Sequence, residues 1–189
     1  LNDDFPGMDL AFADPSFLEN YADRVKGLFI THAHEDHFGA IAQVWPKLNC
    51  PVYAMRFTAG LIRERLKEYH LDSEVPLFEV NDHPEIVLGD FDVRFVPVTH
   101  SVPETCALLI KTPKGTVVHA TDWRFDDDKT DIIQTDYAAL KKAAKEGVDI
   151  FVCDSTNVLV DKPQYSEFDV RQSLLNLVPL YQKGLIATC

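Results

Sequence analysis

The chain has 189 residues, of which 46% are hydrophobic and 25% charged, values typical of one soluble globular domain with a sizeable core. Its formal net charge of −12 argues against a basic nucleic-acid footprint over the whole surface, and the absence of a run of about 18 apolar residues argues against a membrane span. The opening LNDDFPGMDL lacks the basic and apolar parts of a secretory signal, and the start on Leu1 leads us to expect that residues precede it.

The first part of the chain predicts strands that alternate with helices. Residues 27–31 form a short apolar stretch that is typical of a buried strand. Residues 38–48 carry apolar side chains at helical spacing, with Pro46 expected to shorten or kink the helix. A second strand is predicted over 51–54, and an amphipathic helix over 56–69.

The middle of the chain predicts an antiparallel meander. Turn sequences, Gly89-Asp90 and Pro113-Lys114-Gly115, separate short apolar stretches. The predicted strands are Leu77–Val80, Glu85–Leu88, Phe91–Val98, Cys106–Lys111 and Thr116–Ala120.

The last part of the chain again alternates, with a helix predicted over 137–146, a buried strand over 148–152, a helix over 168–181 and a strand over 185–188. A mixture of strand–helix units and hairpins predicts an α/β fold of the α+β sandwich type, with helices packed outside the sheets. The final strand has no polar tail after it, so we expect the natural chain to continue.

The four cysteines are Cys50, Cys106, Cys153 and Cys189, and none of them forms a CxxC pair. The first three lie in or beside apolar runs. We interpret them as buried free thiols in a reducing cytosol, which predicts a cytoplasmic protein.

The stretch Thr31–His37 reads THAHEDH and concentrates three histidines and two carboxylates in seven residues. It follows a predicted strand and precedes a predicted helix. His32 and His34 are two residues apart and project from the same face of an extended backbone. Asp36 and His37 follow after the chain turns, where the start of the helix can direct them to the same space. Imidazole and carboxylate donors at this spacing predict a zinc site, with manganese as the alternative where oxygen donors dominate.

Four donors within six residues are too tightly tethered to surround one tetrahedral ion, which favours two nearby ions with further ligands from elsewhere. His100 follows the apolar strand VPVT, and Asp122 follows the strand VVHAT. A polar group at the end of an apolar strand needs a partner when it is buried. Three strand ends that meet at one sheet edge would bring six donors together: His32, His34, Asp36, His37, His100 and Asp122.

The other histidines carry weaker signals. His119 lies within the strand that leads to Asp122 and is interpreted as structural. His70 and His83 lie in polar, turn-like surroundings and are assigned no role.

The pattern HxHxDH, followed by a strand-end histidine and a strand-end aspartate, resembles the metallo-β-lactamase superfamily. The combination of further segments resembles the ribonuclease J branch of the β-CASP nucleases, over nearly the whole chain. HxHxDH alone specifies only the superfamily, whereas the combination is considerably more specific. These segments are FPGMDL (5–10), KGLFITHAHEDHFGA (26–40), HSVPET (100–105) and DSTN (154–157).

This resemblance implies an αββα sandwich with a dinuclear site at its edge, interrupted by the start of a β-CASP domain. Residues 1–153 would form a partial metallo-β-lactamase domain without its opening strands, and residues 154–189 the truncated start of the β-CASP domain. The implied cations are two Zn²⁺, with Mn²⁺ or Mg²⁺ as alternatives. The implied ligands are His32, His34 and His100 for one ion, Asp36 and His37 for the other, and Asp122 as the bridge between them.

The resemblance also implies catalytic roles. A hydroxide between the cations would attack the phosphodiester phosphorus, with Asp36 orienting it. Asp154 matches an acidic residue that supports a catalytic histidine in the family, and its alternative interpretation is a turn or N-cap carboxylate. The chain departs from the family at Ala33 and at Thr121-Asp122-Trp123, where Gly and Gly-Asp-Phe are usual. It also lacks most of the β-CASP domain and the late histidine of the second ion.

The implied function is metal-dependent hydrolysis of single-stranded RNA, from a 5′ end or internally, in RNA processing and decay. The implied partners are single-stranded RNA and a second copy bound through regions outside this chain, without a membrane. Two alternatives stay open: a hydrolase of small esters, lactones or thioesters, and an inactive metal-binding scaffold. DSTN argues against the first, and the six intact donors argue against the second.

Overall fold

A computed structural model describes residue 7 and residues 11–82, 85–124, 134–161 and 165–181. The first part of the chain forms a parallel sheet of three short strands in the order β1-β2-β3, with helices between them. Each helix returns the chain so that the next strand can pair in parallel. The elements are α1 Ser16–Glu19, a 3₁₀ turn Ala22–Arg24, β1 Leu28–Ile30, α2 Glu35–Phe38, α3 Ile41–Leu48, β2 Val52–Met55, α4 Arg56–Glu68 and β3 Leu77–Val80.

The second sheet has five strands in the order β4-β5-β6-β7-β8. Strands β4 to β7 form an antiparallel meander, and β8 joins β7 in parallel after a helical crossover. The elements are β4 Glu85–Leu88, β5 Phe91–Pro97, β6 Cys106–Thr112, β7 Gly115–Thr121, α5 Tyr137–Glu146, β8 Ile150–Cys153, α6 Glu167–Leu177 and a 3₁₀ turn Val178–Leu180.

The alternation of side chains along each strand divides the core into layers. In β2, Val52 and Ala54 pack towards α3 and α4, while Tyr53 and Met55 face the second sheet. In the second sheet, Val93, Phe95 and Leu108 face the first sheet, whereas Val96, Val98 and Ala107 pack towards α5. The order of layers is therefore helix, sheet, sheet, helix, which confirms the predicted fold class.

The structure corrects several predictions of secondary structure. The strand predicted as buried over 148–152 is β8, whose residues Ile150, Phe151 and Val152 are exposed. Strand β3 was expected in the meander, but it pairs in parallel with β2 in the first sheet. The helix predicted over 38–48 begins later, at Ile41 in α3, and the short helix α2 precedes it on the other side of a break at Gly39-Ala40. Pro46 lies inside α3 without ending it. Helix α6 ends at Leu177, earlier than predicted, and Pro179 in the following 3₁₀ turn has no N–H to continue the helix.

Other predictions fall outside what the structure describes or tests. The strand predicted over 185–188 lies outside the described residues. The domain boundary between residues 153 and 154 stays a prediction. Among the described helices, none is both long and apolar enough to cross a bilayer. The free-thiol interpretation is confirmed for Cys50, Cys106 and Cys153, although Cys153 is only half-buried.

Candidate metal centre

Four of the predicted metal ligands meet at one edge of the two sheets. His32 and His34 follow β1, His100 follows β5, and Asp122 follows β7 directly. Each of these residues offers one ligand atom, and the four atoms lie within 4.8 Å of one another. The cluster therefore combines side chains from both sheets.

The three imidazoles present their nitrogens to a common point. His34 Nδ1 lies 3.1 Å from His32 Nε2 and 3.1 Å from His100 Nε2. Nitrogens bound to one tetrahedral Zn²⁺ at 2.0–2.1 Å are separated by about 3.3 Å, so the spacing in the cluster fits such an ion. Asp122 adds an oxygen donor to the same point. The donor set thus fits a divalent cation.

The remaining two predicted ligands lie beside this cluster, where His37 contacts both Asp122 and the ring of His32. His37 Nε2 lies 3.5 Å from Asp36 Oδ2 and 3.5 Å from Asp122 Oδ1. The other carboxylate oxygen of Asp122, Oδ2, lies 3.7 Å from His100 Nε2. Each carboxylate oxygen of Asp122 therefore faces a different group of donors. Asp36 is the most solvent-exposed of the predicted ligands, with a side chain that is 79% exposed.

Burial sets the protonation of the innermost histidines. His32 is fully buried, and this burial, reinforced by the neighbouring imidazoles, lowers its pKa to about 3. Burial also lowers the pKa of His100, with the His34 ring as the second cause. Both rings are therefore held in the neutral form, which is the form that binds metal ions.

Two hydroxyl groups contact the imidazole nitrogens that face away from the cluster. Thr31 Oγ1 lies 3.0 Å from His32 Nδ1, and Ser101 Oγ lies 3.2 Å from His34 Nε2. Neither residue was predicted to contribute to the site, because a hydroxyl beside a histidine has no distinctive spacing in the sequence. The one signal in the sequence was position, since Thr31 directly precedes His32 and Ser101 directly follows His100.

Asp154 lies in an exposed turn after β8. Its carboxylate accepts hydrogen bonds from the backbone and the hydroxyl of Thr156, and these bonds lower its pKa. Its backbone N–H donates to the carbonyl of Thr121 at 3.0 Å, which fastens this turn to the strand that carries Asp122. This arrangement matches the turn-carboxylate alternative, and the catalytic role of Asp154 stays a prediction.

The remaining histidines lie apart from the cluster or outside the description. His119 is half-buried within β7, where it pairs with Leu108 on β6. His70 is exposed after α4 in a left-handed backbone conformation. His83 lies outside the described residues.

The chain matches a known protein family over most of its length. A family model described as a β-lactamase superfamily domain matches residues 5–164. The chain belongs to this superfamily. The superfamily predicted from the donor motif is thereby confirmed, and the ligand cluster at the sheet edge indicates that this member binds divalent metal.

The curated relatives of this superfamily member include proteins named ribonuclease J. The protein of that name from Sinorhizobium meliloti is 41% identical over 93% of this chain, and the one from Corynebacterium glutamicum is 41% identical over 92%. The chain spans only 31% and 24% of the lengths of these two relatives. The predicted resemblance to ribonuclease J is confirmed as sequence similarity.

A solved structure supports the fold. The crystal structure of a protein of unknown function from Enterococcus faecalis V583 superimposes with a TM-score of 0.61 at 20% sequence identity. The match covers 82% of this chain and 39% of that one. At this level of identity the likeness concerns the arrangement of sheets and helices alone.

Proposed function

We propose that this chain is the metal-binding part of a ribonuclease that hydrolyses the phosphodiester bonds of single-stranded RNA at a dinuclear centre. The observation that carries the proposal is the position of Asp122, whose two oxygens face His37 on one side and His100 on the other. One carboxylate between two donor groups is the arrangement expected of a bridge between two cations. Two-metal phosphodiesterases hold their ions about 3.5–4 Å apart.

When bound, two divalent cations, Zn²⁺ first and Mn²⁺ or Mg²⁺ as alternatives, supply Lewis acidity and a water of lowered pKa. His32, His34 and His100 would hold one side of the site, where His32 is fully buried and the other two are half-buried. His37 and Asp36 form the other, more open side. The exposed Asp36 carboxylate is placed to accept a hydrogen bond from an entering water and orient it. Asp154 would support a general acid from elsewhere in the protein.

The substrate class rests on similarity. The relatives named ribonuclease J share 41% identity with this chain over most of its length, and their name states an RNA substrate. A surface with a net charge of −12 does not itself attract RNA, so grip on the phosphates has to come from the bound cations and from regions outside this chain. The proposal includes cleavage from a 5′ end or internally, and a cytoplasmic location.

The decisive experiment compares His34→Ala with His119→Ala, in the protein that carries this chain. We expect the unsubstituted protein to contain close to two equivalents of metal and to cleave 5′-monophosphorylated single-stranded RNA. His34→Ala should lose both metal and cleavage, whereas His119→Ala, which removes a half-buried histidine outside the cluster, should retain both.

Three results would contradict the proposal. RNA cleavage that survives His34→Ala would exclude this metal centre as the site of reaction. Hydrolysis of a panel of lactones and thioesters without RNA cleavage would favour the small-molecule hydrolase. Full metal content without turnover of any of these substrates would indicate a scaffold.

A further inference from the structure

Two buried threonines lie directly behind the histidine cluster. Thr31 follows β1 and directly precedes His32. Thr121 is the last residue of β7 and directly precedes Asp122. Thr31 is 6% exposed and Thr121 5%. Their hydroxyl oxygens lie 3.2 Å apart, although the two residues are 90 positions apart in the chain. The pair therefore connects the two strand ends that carry a histidine ligand and the bridging aspartate.

Thr31 also contacts the imidazole of His32. A neutral imidazole has one N–H and one free lone pair, and the partner of one nitrogen decides which role the other takes. His32 Nε2 faces the other imidazoles, while His32 Nδ1 lies 3.0 Å from Thr31 Oγ1. The Thr31 hydroxyl can accept the Nδ1–H bond and donate its own hydrogen to Thr121 Oγ1. This arrangement leaves the Nε2 lone pair free for a metal ion.

Thr121 occupies this position in a strained conformation. Its φ of 52° lies in the left-handed region, which β-branched residues strongly avoid. The pairing of β7 with β8 also shifts register between His119 and Thr121. Strain of this kind persists where the surrounding structure enforces it, and it concentrates at functional sites. Here the left-handed conformation brings the Thr121 hydroxyl within hydrogen-bonding distance of the Thr31 hydroxyl. It also directs the chain towards Asp122.

We propose that Thr31 and Thr121 are positioning residues that hold His32 in its Nδ1–H form and couple this ligand to the strand end of Asp122. The inference rests on the metal centre of the proposed function and adds the hydrogen bonds that preorganise it. Outer-shell partners of this kind alter metal affinity about 10–100-fold when they are removed.

Thr31→Val tests the role of the hydroxyl because valine has nearly the same shape. We expect the affinity of the chain for Zn²⁺, measured by competition with a chromogenic chelator, to fall about 10–100-fold. Thr31→Ser should restore most of the affinity. In the metal-free chain, the ¹⁵N shifts of the His32 ring should show the Nδ1–H form, and Thr31→Val should convert it to a mixture of tautomers.

Thr58 provides the matched control. It is a fully buried threonine on α4 whose hydroxyl has no hydrogen-bond partner among the described residues. Thr58→Val therefore removes a buried hydroxyl outside the site, and we expect the affinity for Zn²⁺ to stay unchanged. A decrease as large as that of Thr31→Val would show that any buried hydroxyl matters and would overturn the inference.

Thr121→Gly provides a second, independent test should Thr31→Val fail to fold. Glycine adopts the left-handed conformation without strain, so this variant removes the hydroxyl while the backbone at this position can be kept. The affinity for Zn²⁺ should fall, because the contact with Thr31 is lost. An unchanged or higher affinity in Thr121→Gly would overturn the inference.

Failure of this inference is distinguishable from failure of the proposed function. Unchanged Zn²⁺ affinity in Thr31→Val, or a His32 ring in the Nε2–H form, overturns the role of the threonines and leaves RNA cleavage intact. Tight Zn²⁺ binding that depends on Thr31, in a protein that cleaves no RNA, supports the positioning role while refuting the proposed substrate.

Discussion

Asp122 contacts both groups of predicted ligands. Because its oxygens face His37 and His100 separately, Asp122→Asn should disturb both groups while preserving the shape of the side chain. We expect the metal content to fall from close to two equivalents to one or fewer, as measured by elemental analysis. Asp92→Asn, which removes the same charge from β5, should keep the full content. Equal metal content in both variants would contradict a bridging Asp122.

Cys106 illustrates the effect of burial on a single thiol. It is completely buried between the two sheets, and this burial raises its pKa to about 12. Since the thiolate is the reactive form, its reactivity should be negligible at pH 8 and should rise only as the pH approaches the raised pKa. Mass spectrometry after iodoacetamide treatment should find Cys153 modified in the folded chain and Cys106 unmodified. Prompt modification of Cys106 at pH 8 would contradict the packing described here.

At the scale of elements, Glu104 connects the loop that carries His100 to a helix of the other sheet. Its carboxylate accepts a hydrogen bond of 2.6 Å from the backbone N–H of Phe57 in the first turn of α4. The residue at the N-cap of α4, Met55, makes no side-chain capping bond. Glu104 thus caps α4 from a distant part of the chain and holds the loop after β5 against it.

Removal of this cap should destabilise the fold. We expect Glu104→Ala to lower the free energy of unfolding by about 1 kcal/mol, as for other capping residues, and Glu104→Gln by less because the amide oxygen still accepts. Glu64→Ala provides the control on the same helix. Its ion pair with Lys67 is exposed to solvent and contributes little to stability, so Glu64→Ala should lose less than Glu104→Ala. Urea unfolding measures all three, and equal losses for Glu104→Ala and Glu64→Ala would argue against a cap.

The pairing of most strands, but not of β3, could be predicted from the sequence. The turn sequences Gly89-Asp90 and Pro113-Lys114-Gly115 correctly predicted the meander, because each joins two strands that pair antiparallel. The place of β3 could not be predicted, because a four-residue apolar strand fits either sheet and only packing against β2 selects the first. The break at Gly39 carries no stop signal strong enough to separate α2 from α3.

For the site, local spacing and strand ends predicted which side chains would converge. The spacing in HxHxDH keeps His32 and His34 close together in space. His100 and Asp122 were identified because each is a polar residue that follows an apolar strand. The roles of Thr31 and Ser101 were not predictable, because they depend on which ring nitrogen faces the hydroxyl. The left-handed conformation of Thr121 was likewise not predictable, because its residue type disfavours it and the register shift beside it has no sequence signal.

At the scale of the whole molecule, the metal site connects the two sheets. His32 and His34 extend from the first sheet, and His100 and Asp122 from the second. A ligand that binds only the folded state at 100 times its dissociation constant adds about 2.7 kcal/mol to stability. We therefore expect removal of metal by a chelator to lower the melting temperature by about 5–10 °C.

The control for this prediction is the His34→Ala variant. Because its ligand set is incomplete, the same chelator should leave its melting temperature unchanged. Scanning calorimetry of both proteins, with and without chelator, measures the difference. Equal melting temperatures for the unsubstituted chain with and without metal would show that the ion contributes nothing to the contact between the sheets.

The distribution of donors over both sheets has a consequence for biosynthesis. Between His37 and His100 the chain completes β2, β3, β4 and β5, so the donor set is finished only when Asp122 has left the ribosome. A nascent chain that ends before this residue presents the histidines without the carboxylate of Asp122. We expect ion uptake to follow the docking of the second sheet, which protects the emerging polypeptide from premature capture of a cation.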